Sequence, residues 1–257
     1  MLTKLIKHEM LHWVRTFSIF YIIYAIVAVI TKILITVEMS YGDNVEEHIF
    51  TTILLAIFGF VMMLFSIMMP WISLAHNSNR FKKNMFSDEG YLTNTLPVTP
   101  AEHIGAKLIM GGISYVCTCL LIFVCILLLI AGVDQEYIEM NFVFDELQDF
   151  TMQNFGEMML GFLLSVSVFV GILLLCYLAE GLAAINGGKK AIASGVAILG
   201  VVLAMIISSA IATVLRANGV EYDSNARVIA QIIFYLVADV GMFFLISYIL
   251  KNKLNLE

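Results

Sequence analysis

The residues with the most specific chemical spacing lie close to the N-terminus. His8, Glu9 and His12 match the H-E-x-x-H pattern, in which two histidines one helical turn apart bind zinc and the glutamate is the general base. Such a site also needs a third ligand and a substrate cleft. The remaining histidines fall on predicted loops, at His48, His76 and His103. We therefore favour a surface helix without metal or catalytic residues, and keep an intramembrane zinc metalloprotease as an alternative.

Three ionisable residues interrupt long apolar runs. Because charge inside a bilayer is costly, such residues are functional candidates by default. Asp239 lies near the middle of the last run, where it either lines a polar path or pairs with Lys32 in the first run. Lys32 can instead extend its ammonium group to the outer membrane surface. Glu180 is a third transport-pathway candidate, although its position near Lys189 and Lys190 also fits a charge at the membrane boundary.

The elements that carry these residues are apolar runs long enough to span a bilayer. The chain has 257 residues, of which 61% are hydrophobic and 13% charged, against roughly half and a quarter in soluble domains. Six runs of about 20 residues match the hydrocarbon core: 18–37, 50–75, 108–133, 158–184, 191–215 and 228–250. They lack the alternation of barrel strands. The sequence predicts an all-α, polytopic membrane protein with six transmembrane helices and no soluble catalytic domain.

The distribution of positive charge predicts the orientation. Eleven of the 14 lysines and arginines fall on one side of the predicted spans: Lys4, Lys7, Arg15, Arg80, Lys82, Lys83, Lys107, Lys189, Lys190, Lys251 and Lys253. Short loops rich in lysine and arginine remain in the cytoplasm. We expect a multi-pass protein of the cell membrane with both termini cytoplasmic.

Two further elements are predicted on that cytoplasmic side. Residues 1–17 have one apolar and one basic face, which predicts an amphipathic helix in the membrane interface. In the segment 76–107, Thr99 and Glu102 form a capping box with Pro100 at the first helical position. The single membrane domain is thus divided into interfacial helix, two spans, cytoplasmic segment, four spans and tail: 1–17, 18–75, 76–107, 108–250 and 251–257.

The fifth run contains small residues at every fourth position. Gly200, Ala204, Ser208 and Ala212 form a stripe that allows another helix to approach closely. The stripe predicts a packing face whose partner is either another span of this chain or a second copy.

A nucleotide site is not indicated. Gly187-Gly188-Lys189-Lys190 looks like the end of a phosphate-binding loop, but Ala183 occupies the position of the first glycine and no strand precedes it. If the protein uses ATP, another chain must bind it.

A resemblance to a known family rests mainly on the cytoplasmic segment, which reads Phe86-Ser87-Asp88-Glu89-Gly90-Tyr91-Leu92-Thr93-Asn94-Thr95-Leu96-Pro97-Val98 and continues into a helix with Lys107. It resembles the loop of six-span permease subunits of type-two ATP-binding cassette exporters, in which an acidic-Gly-Tyr/Thr-Leu stretch leads into Leu-Pro-Val/Thr. The basic first helix, the fourth span with its short turn and the C-terminal tail are similar in outline. The closest likeness is to small permeases of bacterial exporters for amphipathic peptides, of the phenol-soluble modulin and bacteriocin type.

The resemblance implies a transport subunit that is not itself an enzyme. Two permease copies would each engage one cytoplasmic ATPase, which would bind ATP and magnesium, while this chain would bind no cofactor and no nucleic acid. The helix between spans two and three would be the coupling helix, with ATPase contacts at Phe86, Asp88, Glu89, Tyr91, Leu92 and Thr93. The expected substrates are amphipathic or antimicrobial-type peptides, or similar hydrophobic molecules, moved out of the cell. A membrane immunity or scaffold protein without transport activity is the further alternative.

Overall fold

The described part of the chain forms six long helices. The computed structural model describes residues 2–41, 45–86, 99–131, 155–185, 190–217 and 225–252. Its helices are α1 (Leu2–Tyr41), α2 (Val45–Phe86), α3 (Pro100–Ile130), α4 (Phe155–Ile185), α5 (Lys190–Ala217) and α6 (Asn225–Asn252). Each is long and apolar enough to cross a membrane, and the described ranges contain no strand. The predicted all-α, six-span class is confirmed.

The first two helices are longer than the predicted spans. The amphipathic stretch 1–17 was expected to be separate from the span 18–37, but α1 runs through both without a break. No glycine or proline stands near the junction to interrupt it. Similarly, α2 continues past residue 75 to Phe86, with Pro70 inside it. Part of the predicted cytoplasmic segment is therefore the end of α2, whereas residues 87–98 lie outside the described residues.

The predicted capping box at the start of α3 is present. The Glu102 carboxylate accepts hydrogen bonds from the backbone N–H of Thr99 at 2.9 Å and from its hydroxyl at 3.0 Å. In return, the Glu102 N–H donates to the Thr99 hydroxyl oxygen at 3.4 Å, and also to the Thr99 carbonyl at 3.0 Å. The box satisfies groups that a helix start otherwise leaves without partners.

The chain divides into two compact units. The first unit comprises Met1–Glu9, Leu74–Ile113 and Asn154–Glu257, and the second comprises Met10–Ser73 and Ser114–Gln153. In the first unit, α4 packs against both α5 and α6. A Cβ atom at Gly181 of α4 would stand 3.6 Å from the Ile249 side chain of α6, so this contact suits a small residue.

The second unit is held together by hydroxyl hydrogen bonds between helices. The hydroxyl groups of Tyr24 and Ser66 are 2.8 Å apart, and those of Tyr21 and Thr118 are 2.7 Å apart. Such bonds suit helices in lipid, where apolar burial gives no driving force between spans. Around them lies an apolar core of Tyr24, Ala28, Met62, Met69 and Cys125.

Candidate functional site

A buried ion cluster joins three helices in the first unit. Glu9 of α1 lies between Arg80 of α2, at 2.5 Å from Oε2 to Nε, and Lys107 of α3, at 2.9 Å from Oε1 to Nζ. The Lys107 side chain is only 6% exposed, and the other two are each 13% exposed. Each carboxylate oxygen thus accepts from a different cation. The cluster joins the end of α2 and the start of α3, the two helix ends that flank residues 87–98.

His103 lies one helical turn before Lys107 on α3 and is buried. Its Nε2 atom has no hydrogen-bond partner among the described residues. Sequence reasoning placed His103 on a loop, but the capping box starts the helix at Pro100 and includes it in α3.

Aromatic rings extend the contacts around the ion cluster. Tyr177 of α4 is fully buried and stacks on Phe81 of α2, with ring centroids 4.0 Å apart and an interplanar angle of 18°. Phe86, the last residue of α2, meets Phe81 edge-on at 5.6 Å. Its ring also lies 3.8 Å from the position that a Cβ atom of Gly181 would occupy. Phe86 therefore packs the end of α2 against α4.

Most of the predicted coupling residues cannot be placed. Asp88, Glu89, Tyr91, Leu92 and Thr93 lie outside the described residues. Their contact with an ATPase stays a prediction, and the described residues supply only the two helix ends on either side of them.

Glu180 of α4 forms a salt bridge with Lys82 of α2, with 2.6 Å between Oε2 and Nζ. Sequence reasoning considered only the nearby cations at Lys189 and Lys190, whose side chains lie outside the described part of the chain. Because Lys82 is 39% exposed, the pair adds little to stability by itself. Its position links the same two helices as the Tyr177–Phe81 stack.

Lys32 of α1 donates hydrogen bonds to the C-terminal end of α3. Its ammonium group donates hydrogen bonds to the carbonyl of Leu129, at 3.2 Å, and to that of Ala131. These carbonyls belong to the end of α3, where an α-helix has unsatisfied acceptors and partial negative charge. The last turn of α3 contains no basic residue of its own. The contact is a structural reason for a lysine at this position, whereas pairing with Asp239, in the other unit, stays a prediction.

Asp239 of α6 is buried, and no cation of the described residues pairs with it. Its side chain is 7% exposed, and neither carboxylate oxygen has a hydrogen-bond partner among the described residues. A Cβ atom at Gly171 of α4 would lie 2.9 Å from Oδ1, so the absence of a side chain there makes room for the carboxylate. An ionised carboxylate in such surroundings is costly unless something solvates it.

Helices α4, α5 and α6 also border an open cavity of about 330 Å³, and Asp239 is not among the residues that line it. Gly171 and Tyr235 belong to its wall, which is otherwise apolar. On α5, Gly200 and Ala204 of the small-residue stripe also border the cavity.

The stripe packs against helices of the same chain. A Cβ atom at Gly200 would stand 2.6 Å from the Leu175 side chain of α4. Ser208 accepts a hydrogen bond from Gln231 of α6 at 3.2 Å. Ala212 is half-buried on the same helix. At Gly200 and Ser208, the partner left open by the sequence is therefore a span of this chain.

The zinc-site pattern does not assemble into a metal centre within the described residues. Glu9 is committed to two cations, and the His8 side chain is exposed. Among the described residues no three His, Cys, Asp or Glu side chains lie close enough together to hold a metal ion. Sequence reasoning missed the charge complementarity between Glu9 and the two cations. The signal was available, since Glu9, Arg80 and Lys107 were all predicted on the cytoplasmic side.

No protein-family model, curated protein or solved structure matches the chain. Neither a family nor a function is assigned by these comparisons. The features of the structure that bear on function are the ion cluster, the buried Asp239 and the six spans.

Proposed function

We propose that the chain is the membrane-spanning permease subunit of an ATP-binding cassette exporter. It moves amphipathic peptides or similar hydrophobic substrates out of the cell, and a separate ATPase subunit supplies the energy. The single observation that carries the proposal is the position of Glu9, which ties Arg80 and Lys107 together across the segment 87–98.

The physical argument concerns how force enters the membrane helices. A permease without its own motor needs a cytoplasmic element that is firmly attached to its spans. Phe86, at the end of α2, packs on Phe81 and beside Gly181, and the capping box fixes the start of α3. Because Glu9 binds both helices, a force applied at either helix end is transmitted to the other.

The proposal includes partners and location. The protein belongs in the cell membrane with both termini in the cytoplasm, as the lysine and arginine distribution favours. A cytoplasmic ATPase binds ATP and magnesium, and a second copy of this chain completes the translocation path. Asp239 is the best candidate for the substrate path because it is a buried carboxylate within a span.

Co-purification tests the proposal directly. The tagged full-length chain should carry an ATPase subunit through purification, and ATP hydrolysis by the pair should rise when an amphipathic peptide is added. An Asn79→Ala variant, altered at an exposed position of α2, is the matched control and should behave as wild type. Recovery of the chain without any ATPase, from cells that express the candidate ATPase, would reject the permease assignment.

The same preparation separates the alternatives. A scaffold or immunity protein predicts partner binding without stimulated hydrolysis. A zinc metalloprotease predicts stoichiometric zinc that is lost in a His12→Ala variant. Because Glu9 accepts from two cations, its carboxylate is poorly placed to activate water, which favours the permease over the protease.

A further inference from the structure

The first turns of α1 present basic and apolar side chains together on the outside of the fold. Lys7, Met10, Leu11 and Val14 follow the i, i+3, i+4, i+7 spacing of one helix face, and Arg15 stands one turn after Leu11. Met10, Leu11 and Val14 are 43%, 59% and 48% exposed, and both cations are exposed as well. We call these five residues the outward face of α1.

Glu9 determines which side of α1 faces outward. Its carboxylate binds Arg80 of α2 and Lys107 of α3, so its side of the helix is held against those two helices. At about 3.6 residues per turn, Glu9 lies on the side of α1 opposite Leu11. Glu9 is also the only acidic residue in the sequence of 1–37. The outward face is therefore basic and apolar, with no acid beside it on the same helix.

The outward face lies next to the predicted bilayer. Along the unbroken helix, Arg15 precedes Ser18, the first residue of the predicted span, by three residues, and Lys7 precedes it by 11. With a rise of about 1.5 Å per residue, these separations are about 5 Å and about 16 Å. We expect Arg15 at the depth of the lipid headgroups, and Lys7 within about one Debye length of them.

We propose that the outward face of α1 binds anionic phospholipids. The lipid phosphates pair with Lys7 and Arg15, and the apolar part of the lipid covers Met10, Leu11 and Val14. A zwitterionic lipid would cover the apolar side chains equally well, but it has no net charge to offer the two cations. An acidic protein would match the cations, but bilayer lipid is already present at this depth. Lipid binding requires neither an ATPase nor a transported substrate, so the inference is independent of the proposed function.

The test is quenching of a single tryptophan by brominated lipids, with the full-length chain reconstituted in bilayers of defined composition. Trp13→Phe and Trp71→Phe remove the two native tryptophans, and Leu11→Trp places the reporter in the outward face. At this reporter, brominated phosphatidylglycerol should bind at least about fivefold more tightly than brominated phosphatidylcholine, because each basic residue near the surface attracts anionic lipid. A Val237→Trp reporter, at an exposed position of α6, should show no preference.

Charge variants test the two cations. Lys7→Gln with Arg15→Gln should remove the preference for phosphatidylglycerol at the Leu11→Trp reporter. The matched control is Lys83→Gln with Lys251→Gln, which removes two other exposed cations and should retain the preference. Equal losses in the two pairs would show a diffuse attraction by the charge of the whole protein and overturn the proposal. Raising the salt concentration to about 1 M, which shortens the Debye length to about 3 Å, should weaken the preference without any charge variant.

Two results with Lys7 and Arg15 intact would also reject the proposal. Equal quenching of the Leu11→Trp reporter by both brominated lipids would show an apolar contact that does not depend on headgroup charge. Quenching by neither lipid would show that protein covers the outward face, as expected for an acidic partner or a second copy of this chain.

Discussion

Glu9 on α1 and Lys107 on α3 form a salt bridge of 2.9 Å whose lysine is almost completely shielded from solvent. The same carboxylate also accepts from Arg80 on α2. Removing one member of a largely buried ionic group commonly costs more than the intact group contributes. Glu9 is the member that both cations share, so the cluster is expected to be most sensitive to its loss.

We predict that Glu9→Gln lowers the free energy of unfolding by about 3 kcal/mol, because two buried cations lose their shared partner. Titration with sodium dodecyl sulfate in detergent micelles measures the change. Adding Lys107→Met should recover part of the loss, since it removes one of the two cations that Glu9 binds.

The matched control for Glu9 is His8→Ala, at the neighbouring exposed position of α1. It should change stability by less than about 0.5 kcal/mol, as is usual for surface substitutions. Equal losses of stability at His8 and Glu9 would contradict the ion cluster and favour a zinc site.

The contrast between the capping box and the ion cluster shows which features a sequence can predict. Thr99 and Glu102 are three residues apart, so their pairing is a local property and was predicted correctly. Glu9 is separated from Arg80 by 71 positions and from Lys107 by 98. Local spacing around Glu9 instead suggested zinc chemistry, because nothing in the neighbourhood of a residue identifies partners on other helices.

Contacts between distant helices also could not be predicted from the sequence. The sequence identified Asp239 as a charge in a span, but not that Gly171 makes room for it. Lys32 was considered for the transport path, yet its acceptors are backbone carbonyls, which every residue possesses and no sequence pattern marks. The six spans were predictable because length and hydropathy alone define them.

We predict that Lys32→Met destabilises the protein by about 1–2 kcal/mol, because the carbonyls of Leu129 and Ala131 lose a charged donor. Lys32→Arg should retain most of the stability. The measurement is thermal unfolding in detergent, accompanied by substrate export per folded molecule. A large loss of export at unchanged stability would restore Lys32 as a pathway residue.

We predict that Asp239→Asn lowers export more than it lowers the yield of folded protein. The amide has nearly the same shape as the carboxylate but carries no charge, so a role that depends on the charge is lost while the packing is largely kept. Export into vesicles is normalised to the amount of monodisperse protein on size exclusion. Unchanged export per folded molecule would remove Asp239 from the pathway.

The predicted orientation can be tested by labelling single cysteines with a membrane-impermeant maleimide in a background without the four native cysteines. Cysteine at Gln148 should react in intact cells, whereas cysteine at Asn79 should react only after permeabilisation, because the basic end of α2 is expected in the cytoplasm. Asn79 is suitable because its side chain is exposed. Reaction of the Asn79 site in intact cells would show that the topology is the opposite of the one predicted.

The final prediction concerns the segment between Phe86 and Thr99, which carries the resemblance to exporter permeases. Glu89→Ala and Leu92→Ala should uncouple the permease from its ATPase and leave the six spans folded. Truncating a buried apolar anchor at an interface commonly costs about 1 to 4 kcal/mol, and about 1.4 kcal/mol weakens binding tenfold. In a solvated loop the same change should cost under about 0.5 kcal/mol.

The measurements for these two variants are pull-down of the ATPase and substrate-stimulated ATP hydrolysis after reconstitution. The control is Asn79→Ala, whose side chain is exposed on α2. The nearby Asn77 is unsuitable as a control because it lies beside Gly111 of α3. If Glu89→Ala and Leu92→Ala both bind and stimulate the ATPase like Asn79→Ala, the motor contacts a different part of the chain, and the helix ends joined by Glu9 have only a structural role.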